Sequence, residues 1–492
     1  MASPEEDADV SSRSDVADLL AKLETPGDTC AGGPAPSLPA LPGLSVTGVG
    51  PIGLPLSSSQ ALLLAAVATQ APHGQGHKTV VDTAVRNTLQ IDPSKISLDN
   101  PTWKPSLALL VGACAEALGV NKNHVRAELY KCLLYETGGF FKPHKDTEKS
   151  AGMFGTLVVQ LPSSFTGGQF VARHGASAPR TFDLGAGGAA SYGCHYVCHY
   201  ADCEHELRPI ESGCRLALVY SLCYTGVGPA PSLASLGGLE ELSQSLRCLP
   251  KEDALLVLPL EHEYTSSSLG RLGVGGLKGA DRAKHQAIDA ASGGQYMFLI
   301  VSATRTDTEH GNGDDGDYGD FDVCDTDPGA PEITEVFNAD GSDGRAALKK
   351  LHIDWTSSDD DGAVLASEDE VQEMWGDGDS GGVEYTGNEG ASRETTYKIC
   401  VLIAFPKAAE LELLCESDLA AIVREVTTKG DGERYQRVLA YIGRNADSAS
   451  RKLGSNEQEL LLKSLSPSGL SGPKILANLE LALLIVIVYI VL

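Results

Sequence analysis

Basic residues are scarce in this 492-residue chain: 38 Lys and Arg stand against 66 Asp and Glu, a formal net charge of -28. Such a surface repels nucleic-acid phosphates unless a basic patch is segregated from it, which excludes nucleic acid as a default partner. A dense cysteine framework is missing too. The twelve cysteines are scattered singly, which argues against a small disulfide scaffold and for a reducing compartment, cytoplasmic or nuclear. The opening residues, MASPEEDADVSSR, lack the positive charge and apolar run of a secretory signal, so Sec-type export is not expected. The apolar stretch Leu481 to Leu492 is only twelve residues long. As a helix it covers about 18 Å against a hydrocarbon core of about 30 Å, so membrane contact is expected only through this tail, as a marginal anchor. With 42% hydrophobic residues, wholly disordered and collagen-like chains are excluded as well.

What is present is enough for roughly three domains, or one large domain with insertions. Residues 1-44 read as a disordered arm with one short helix from Asp15 to Glu24 and a Pro/Gly stretch after it. Residues 45-225 read as the principal domain: supporting helices at Ser59 to Ala68 and Leu107 to Leu118, then short β-type runs (LYKCLLYE, FGTLVVQL, GQFVARH, CRLALVYSL) between Gly, Pro and Ser turns. Strands at that spacing suggest a sandwich or jelly roll. An accessory α/β region covers 226-306 and 394-407, interrupted by an acidic insertion at 307-393. Residues 307-389 hold 25 Asp/Glu and 3 Lys/Arg, too charged on average to bury a core. A helical region at 408-466 and a linker with the apolar tail at 467-492 complete an α+β chain.

The chemistry concentrates in YETGGFFKPHKDTEK, residues 135 to 149. In a strand, positions i and i+2 share a face, so His144 and Asp146 present an imidazole and a carboxylate to one ion. Downstream, in CEHELRPIESGCRLALVYSL, His205 precedes a turn and a strand starting near Arg215. Two His and one carboxylate with the other positions open is the facial triad of non-haem Fe(II) oxygenases. Arg215 adds a fixed cation suited to an anionic co-substrate.

These residues resemble the 2-oxoglutarate- and Fe(II)-dependent dioxygenases of the prolyl 4-hydroxylase-like type, over roughly residues 130 to 225. That family has a His-x-Asp, a distal His, and a basic residue about ten positions later that holds the distal carboxylate of 2-oxoglutarate. His144 with Asp146, His205 and Arg215 match these. Tyr135 matches a tyrosine nine residues before the first His that also contacts 2-oxoglutarate, and Gly167 with Gly168 resembles a Gly-Gly turn between strands. The segments VGPIGLPL, LYKCLLYE, HKDTEK, GMFGTLVVQLP, DCEHE, LKGAD and EYTGNEGAS resemble a large branch of the same proteins, extending the likeness over most of residues 45 to 406. The resemblance implies a double-stranded β-helix (jelly roll) and Fe(II) and 2-oxoglutarate as cofactors, with ascorbate as an optional addition. It also implies hydroxylation of a C–H bond with release of succinate and carbon dioxide. Collagen-type prolyl hydroxylases have Lys where this chain has Arg215, so a collagen-type substrate does not follow. The prime substrate, protein side chain or small molecule, is not named by any motif.

Three other readings compete. Cys194, Cys198, His199, Cys203 and His205 fall within twelve residues and offer zinc ligands, without the usual Cys-x2-Cys knuckle. Asp314, Asp315, Asp317, Asp320 and Asp322 invite calcium, but the EF-hand Gly and closing Glu are misplaced. An inactive scaffold would keep the fold and use the acidic insertion for partners. His195 and His262 show no partner in the sequence and read as structural.

Overall fold

The stretch from Val125 to Tyr224 alternates two sets of side chains, and in the computed structural model each set packs against a different layer. The structure describes residues 11–23, 27–75, 78–175, 177–225, 238–313, 321–344, 346–360, 362–376, 378–380, 384–385, 391–429 and 432–464. They fall into two units: Leu23–Leu236 with Glu261–Gln286, and Met1–Lys22 with Gly237–Leu260 and Ala287–Leu492.

In the first unit the strands that matter are β1 (Cys30–Pro34), β2 (Thr69–Gln70), β3 (Arg86–Asn87), β4 (Leu89–Ile91), β5 (Val125–Tyr135), β6 (Phe140–His144), β7 (Met153–Gln160), β8 (Phe170–Arg173), β9 (Arg180–Phe182), β10 (His195–Tyr200), β11 (Glu204–Leu207) and β12 (Arg215–Tyr224). They form a seven-stranded antiparallel sheet, β1-β10-β7-β12-β5-β4-β2, and a five-stranded one, β9-β8-β11-β6-β3. Inward residues of both sheets share one core, with Leu133 and Val197 from the larger sheet meeting Phe141, Phe170 and Leu207 from the smaller. This is a sandwich of two facing sheets.

The alternate residues, such as Leu134, Leu157, Val159, Leu216 and Leu218, pack outward against helices α1 (Ser58–Val67) and α2 (Trp103–Ala117). Ser57 caps α1 by accepting from Gln60 N at 3.3 Å. In α2, Leu110, Val111, Cys114 and Ala115 recur at helical spacing on the buried side. Pro105 is tolerated there because the first-turn N–H groups have no intrahelical acceptor. The turn into β8 needs glycine: Gly167 and Gly168 have φ of 74° and 66°, and a Cβ on Gly167 would stand 2.6 Å from Pro209 O.

Two expectations about order are corrected. The N-terminal arm carries a short helix where one is expected, at Arg13–Ala21 with a Ser12 capping box, but it is not otherwise structureless, since Cys30–Pro34 is an edge strand of the larger sheet. A Gly/Pro-rich segment fits an edge because one side of the strand needs no ladder partner. The described parts of the acidic insertion also pack. In the second unit, β13 (Leu256–Pro259), β14 (Tyr296–Gly313), β15 (Phe321–Asp327), β16 (Glu332–Asn338) and β17 (Ala391–Pro406) share one sheet, with β14 and β17 paired from Tyr296–Pro406 to Gly311–Ala391. Helices α3 (Glu410–Lys429) and α4 (Gly432–Arg444) cover it. Val336, Leu348, Leu351, Ile353, Val364 and Trp375, all inside the acidic stretch, are buried in that core. Averaging charge over the stretch conceals these sparse apolar positions, and some acids are paired, as Asp307 is with Arg305 at 2.9 Å. Asp314, Asp315, Asp317 and Asp320 of the calcium reading, and the apolar C-terminal tail, lie outside the described residues, while Asp322 is paired in β15 opposite Asn312. Among the described residues, no helix is long and apolar enough to cross a membrane.

The packing predicts that Trp375→Ala destabilises the second unit by about 3–5 kcal/mol, as expected for truncating a buried large aromatic. Chemical denaturation of the full chain followed through this unit checks it. A change under about 0.5 kcal/mol would mean that the acidic stretch is not part of the core.

Candidate metal centre

Strand β6 would turn His144 away from the interior if it alternated regularly, because Phe141 is an inward residue and odd positions would follow it. Instead the pairing with β11 slips: Phe141 lies opposite Leu207, and His144 lies opposite His205. Between these pairs Lys142 and Pro143 on one strand face Glu206 alone on the other, which is a β-bulge, and Pro143 sits inside it where no ladder N–H is needed. The bulge places Phe141 and His144 on one face, with ring centroids 3.4 Å apart and stacked. The chain leaves the strand after His144, yet Asp146 keeps the same side because its N–H is fixed to Ala201 O at 2.9 Å.

The result brings His144, Asp146 and His205 together, with one potential ligand atom from each lying within 4.8 Å of the others. His144 Nδ1 is 2.8 Å from Lys142 O, and His205 Nδ1 is 3.0 Å from Cys203 O. A carbonyl only accepts, so each Nδ1 carries the proton and each neutral ring keeps its Nε2 lone pair for an ion. Burial pulls both imidazoles down to about 4, so they are neutral at pH 7. Burial acts to raise the Asp146 carboxyl, but the His205, His199 and His144 rings and the Thr156 hydroxyl outweigh it and hold it below the usual carboxylate range. Thr156 Oγ1 donates to Asp146 Oδ2 at 2.5 Å. Two neutral imidazoles and an oriented carboxylate fit a divalent iron or similar ion.

The same cleft, about 80 Å³, is lined by the triad and by Arg215, Tyr135, Lys131 and Arg86. One water needs roughly 10–15 Å³ on this measure, so the cleft has room for a small organic acid. Arg215 and Tyr135 are opposite one another in the β5–β12 register, with the guanidinium carbon 5.4 Å from the ring centroid. Arg215 is 2% exposed. Its Nε donates to Gln160 Oε1 at 3.0 Å, while Nη2 is buried without a partner. Burial lowers its pKa, and no described carboxylate pairs with it, Glu211 included. A buried guanidinium without an anion costs free energy that a bound carboxylate would relieve.

Reading the sequence missed one inner-face residue, Gln160, and took another, His199, for a zinc ligand only. Gln160 holds Arg215 in place. His199 has its ring centroid 4.2 Å from that of His205 and a buried Nε2 without a partner. Counting alternate positions back from Arg215 and Asp146 does not find them, because the signal lies in which strands are neighbours. The zinc alternative does not assemble. Cys194, Cys198 and Cys203 belong to the outward core with α2, whereas His205 lines the cleft and His199 packs against its ring.

A second group, His174, Asp202 and His262, also gathers potential ligand atoms within 4.8 Å. Here a cation is already supplied: Lys278 Nζ is 3.1 Å from Asp202 Oδ1. His262 Nδ1 at 2.8 Å, His174 Nε2 at 3.1 Å and Glu263 N at 3.0 Å all face Oδ2. The ring nitrogens facing an ionised carboxylate carry protons rather than lone pairs, so this is a hydrogen-bonded hub. It ties DCEHE to LKGAD, and His262, which had no evident partner in the sequence, finds one here.

No family model matches the chain, and no curated protein matches it. Similar solved structures include an oxidoreductase of the 2OG-Fe(II) oxygenase family from Burkholderia pseudomallei, 17% identical over 45% of this chain and 93% of that one, with a TM-score of 0.23. A Pseudomonas putida prolyl-4-hydroxylase is 17% identical over 43% of this chain and 98% of its own, with a TM-score of 0.25. A Trichoplax adhaerens prolyl hydroxylase, solved with a peptide fragment of the hypoxia inducible factor oxygen degradation domain, is 14% identical over 37% and 83%, with a TM-score of 0.24. These neighbours are 2OG-Fe(II) oxygenases, prolyl hydroxylases among them, and TM-scores this low carry no inference about activity.

The hub predicts a pH-dependent stability. Burial raises the Asp202 carboxyl, but Lys278, His262 and His174 outweigh burial and hold it well below its ordinary value. Its contribution is therefore present above about pH 4 and is lost as pH falls through the lower folded-state value. Asp202→Asn should cost about 3–5 kcal/mol at neutral pH, because it leaves Lys278 buried and unpaired. It should also flatten the acid limb of the stability curve. An unchanged acid limb in denaturant titrations of the variant would refute the assignment.

Proposed function

We propose that this chain is a 2-oxoglutarate- and Fe(II)-dependent oxygenase of the prolyl 4-hydroxylase-like type, built on a double-stranded β-helix and hydroxylating a C–H bond of its prime substrate. One observation carries the reading: two imidazoles and a carboxylate converge in a cleft that also holds a buried guanidinium with no carboxylate of its own. The donor set favours iron with open positions, and the guanidinium favours a dicarboxylic co-substrate.

His144 and His205 would hold Fe(II) through Nε2, and Asp146 through a carboxylate oxygen kept in place by Thr156. Bound there, Fe(II) supplies the redox chemistry by which dioxygen decarboxylates 2-oxoglutarate and oxidises the substrate. In the overall balance one oxygen atom enters the new hydroxyl, the other enters succinate, and carbon dioxide leaves. Arg215 offers Nη2 to the distal carboxylate, Tyr135 faces it across the sheet, and Gln160 fixes the direction of the fork. The facing sheets exclude water around these groups and strengthen each charged contact.

Supplied anaerobically with Fe(II) and then with air, the protein should convert 2-oxoglutarate slowly to succinate, and His144→Ala or Asp146→Ala should abolish this. Equal turnover in those variants removes the triad from the mechanism. Losing the Arg215 fork removes a charge-assisted bond worth about 1.5–3 kcal/mol, so Arg215→Ala should weaken 2-oxoglutarate binding by roughly 10- to 150-fold. Iron content should hold. Calorimetry and metal analysis on one Arg215→Ala sample check this, and unchanged affinity would contradict the clamp.

A further inference from the structure

The cleft carries more positive charge than the proposed reaction uses. Its lining includes Arg86, Lys131, Lys149 and Arg215, against Asp146 as the acid. A divalent metal, Asp146, a 2-oxoglutarate dianion and Arg215 together are neutral, and that set leaves Arg86 and Lys131 inside the cleft, and Lys149 at its exposed rim, without an acid. Burial and the nearby Arg86 pull the Lys131 ammonium down to about 7, so it is only partly charged at neutral pH until an anion holds its proton. Arg86 and Lys131 are both buried, at 6% and 9% exposure. Neither meets a carboxylate among the described residues. Arg86 Nη1 donates to Pro72 O at 2.8 Å while its Nε has no partner among the described residues, and Lys131 Nζ donates to Gln90 Oε1 at 3.3 Å and lies 4.1 Å from the centroid of the Tyr130 ring.

Their placement separates them from the co-substrate clamp. Along β5 the inward face reads Lys131, Leu133, Tyr135, so Lys131 stands four residues, about 13 Å of strand, from the tyrosine opposite Arg215. Arg86 lies on β3, the edge strand next to β6, on the side of His144 away from His205. The two cations thus flank one end of the cleft from facing sheets. They repel one another and are both desolvated, and an anion bridging them relieves both costs.

Resting on the oxygenase reading, we infer that Arg86 and Lys131 form the recognition site for a negatively charged prime substrate, a carboxylate or phosphate group on a protein side chain or on a small molecule. Arg86 supplies a flat fork that suits either group, and Lys131 supplies a point charge across from it. A purely structural role for Arg86 is the competing account, because its guanidinium carbon lies 4.3 Å from the centroid of Phe141, the ring that stacks on His144.

The test uses the full chain with Mn(II) and saturating 2-oxoglutarate, so that the clamp is filled without turnover. Calorimetric titration compares two probe sets at fixed ionic strength. One is short peptide pools with Asp, Glu or phosphoserine at the centre against Asn, Gln or Ser. The other is N-acetylaspartate and N-acetylglutamate against their side-chain amides. One set should show its acidic members binding at least about tenfold more tightly than the neutral ones. Peptide preference marks a protein side chain, and preference for the free acids marks a small molecule. Arg86→Gln and Lys131→Gln should each reduce the preference to under about threefold, with Mn(II) content and 2-oxoglutarate affinity retained. Equal binding of acids and neutral analogues, binding of neither, or a loss of manganese or 2-oxoglutarate in Arg86→Gln overturns the inference. Failure of the unmodified protein to bind 2-oxoglutarate would instead strike the oxygenase reading itself.

Discussion

The geometry of the centre depends on the antiparallel pairing of two short strands with one residue too many on one side. The bulge around Pro143 sets His144 opposite His205 instead of leaving it on the outer face, and both imidazoles then point lone pairs at the same volume. A regular ladder would place Pro143 inward and separate the two rings. The backbone bond from Asp146 to Ala201 adds the carboxylate, and Thr156 reaches across from the larger sheet to orient it. Every further property of the cleft is arranged around that register.

The second constraint is charge held in a dry place. Arg215 and Arg86 sit between or beside two apolar layers with no acid among the described residues to neutralise them, and burial pulls the Lys131 ammonium beside them down to about 7. The contrast with Asp202 is instructive. There, burial is equally deep, but Lys278, two imidazoles and a backbone N–H complete the site within the protein, so it stabilises and needs no ligand. In the cleft no such partners stand among the described residues, and the proposed co-substrate and substrate would supply them.

The spacing of His144, Asp146, His205, Arg215 and Tyr135 is legible in the amino-acid sequence, because it resembles the pattern of a facial triad with a co-substrate clamp. Their meeting is not, since it depends on a bulge and on which strands adjoin. Gln160, Arg86 and Lys131 look like ordinary polar residues, and His199 like a zinc ligand, until the sheet order shows which side they face. Asp202 and Lys278 are 76 residues apart and share no pattern. The acidic stretch misleads for a different reason: its mean charge predicts exposure, while Val336, Val364 and Trp375 pack by position rather than by average.

The central claim is that one ion and one keto acid are held together by this cleft. It is tested most directly by anaerobic titration of the full chain with Fe(II) and 2-oxoglutarate, followed by visible absorption. Chelation of the keto acid by bound Fe(II) produces a charge-transfer band that neither component gives alone with the protein. The account predicts that this band saturates at one equivalent each of iron and 2-oxoglutarate. Tight iron binding with no band on adding 2-oxoglutarate would contradict it.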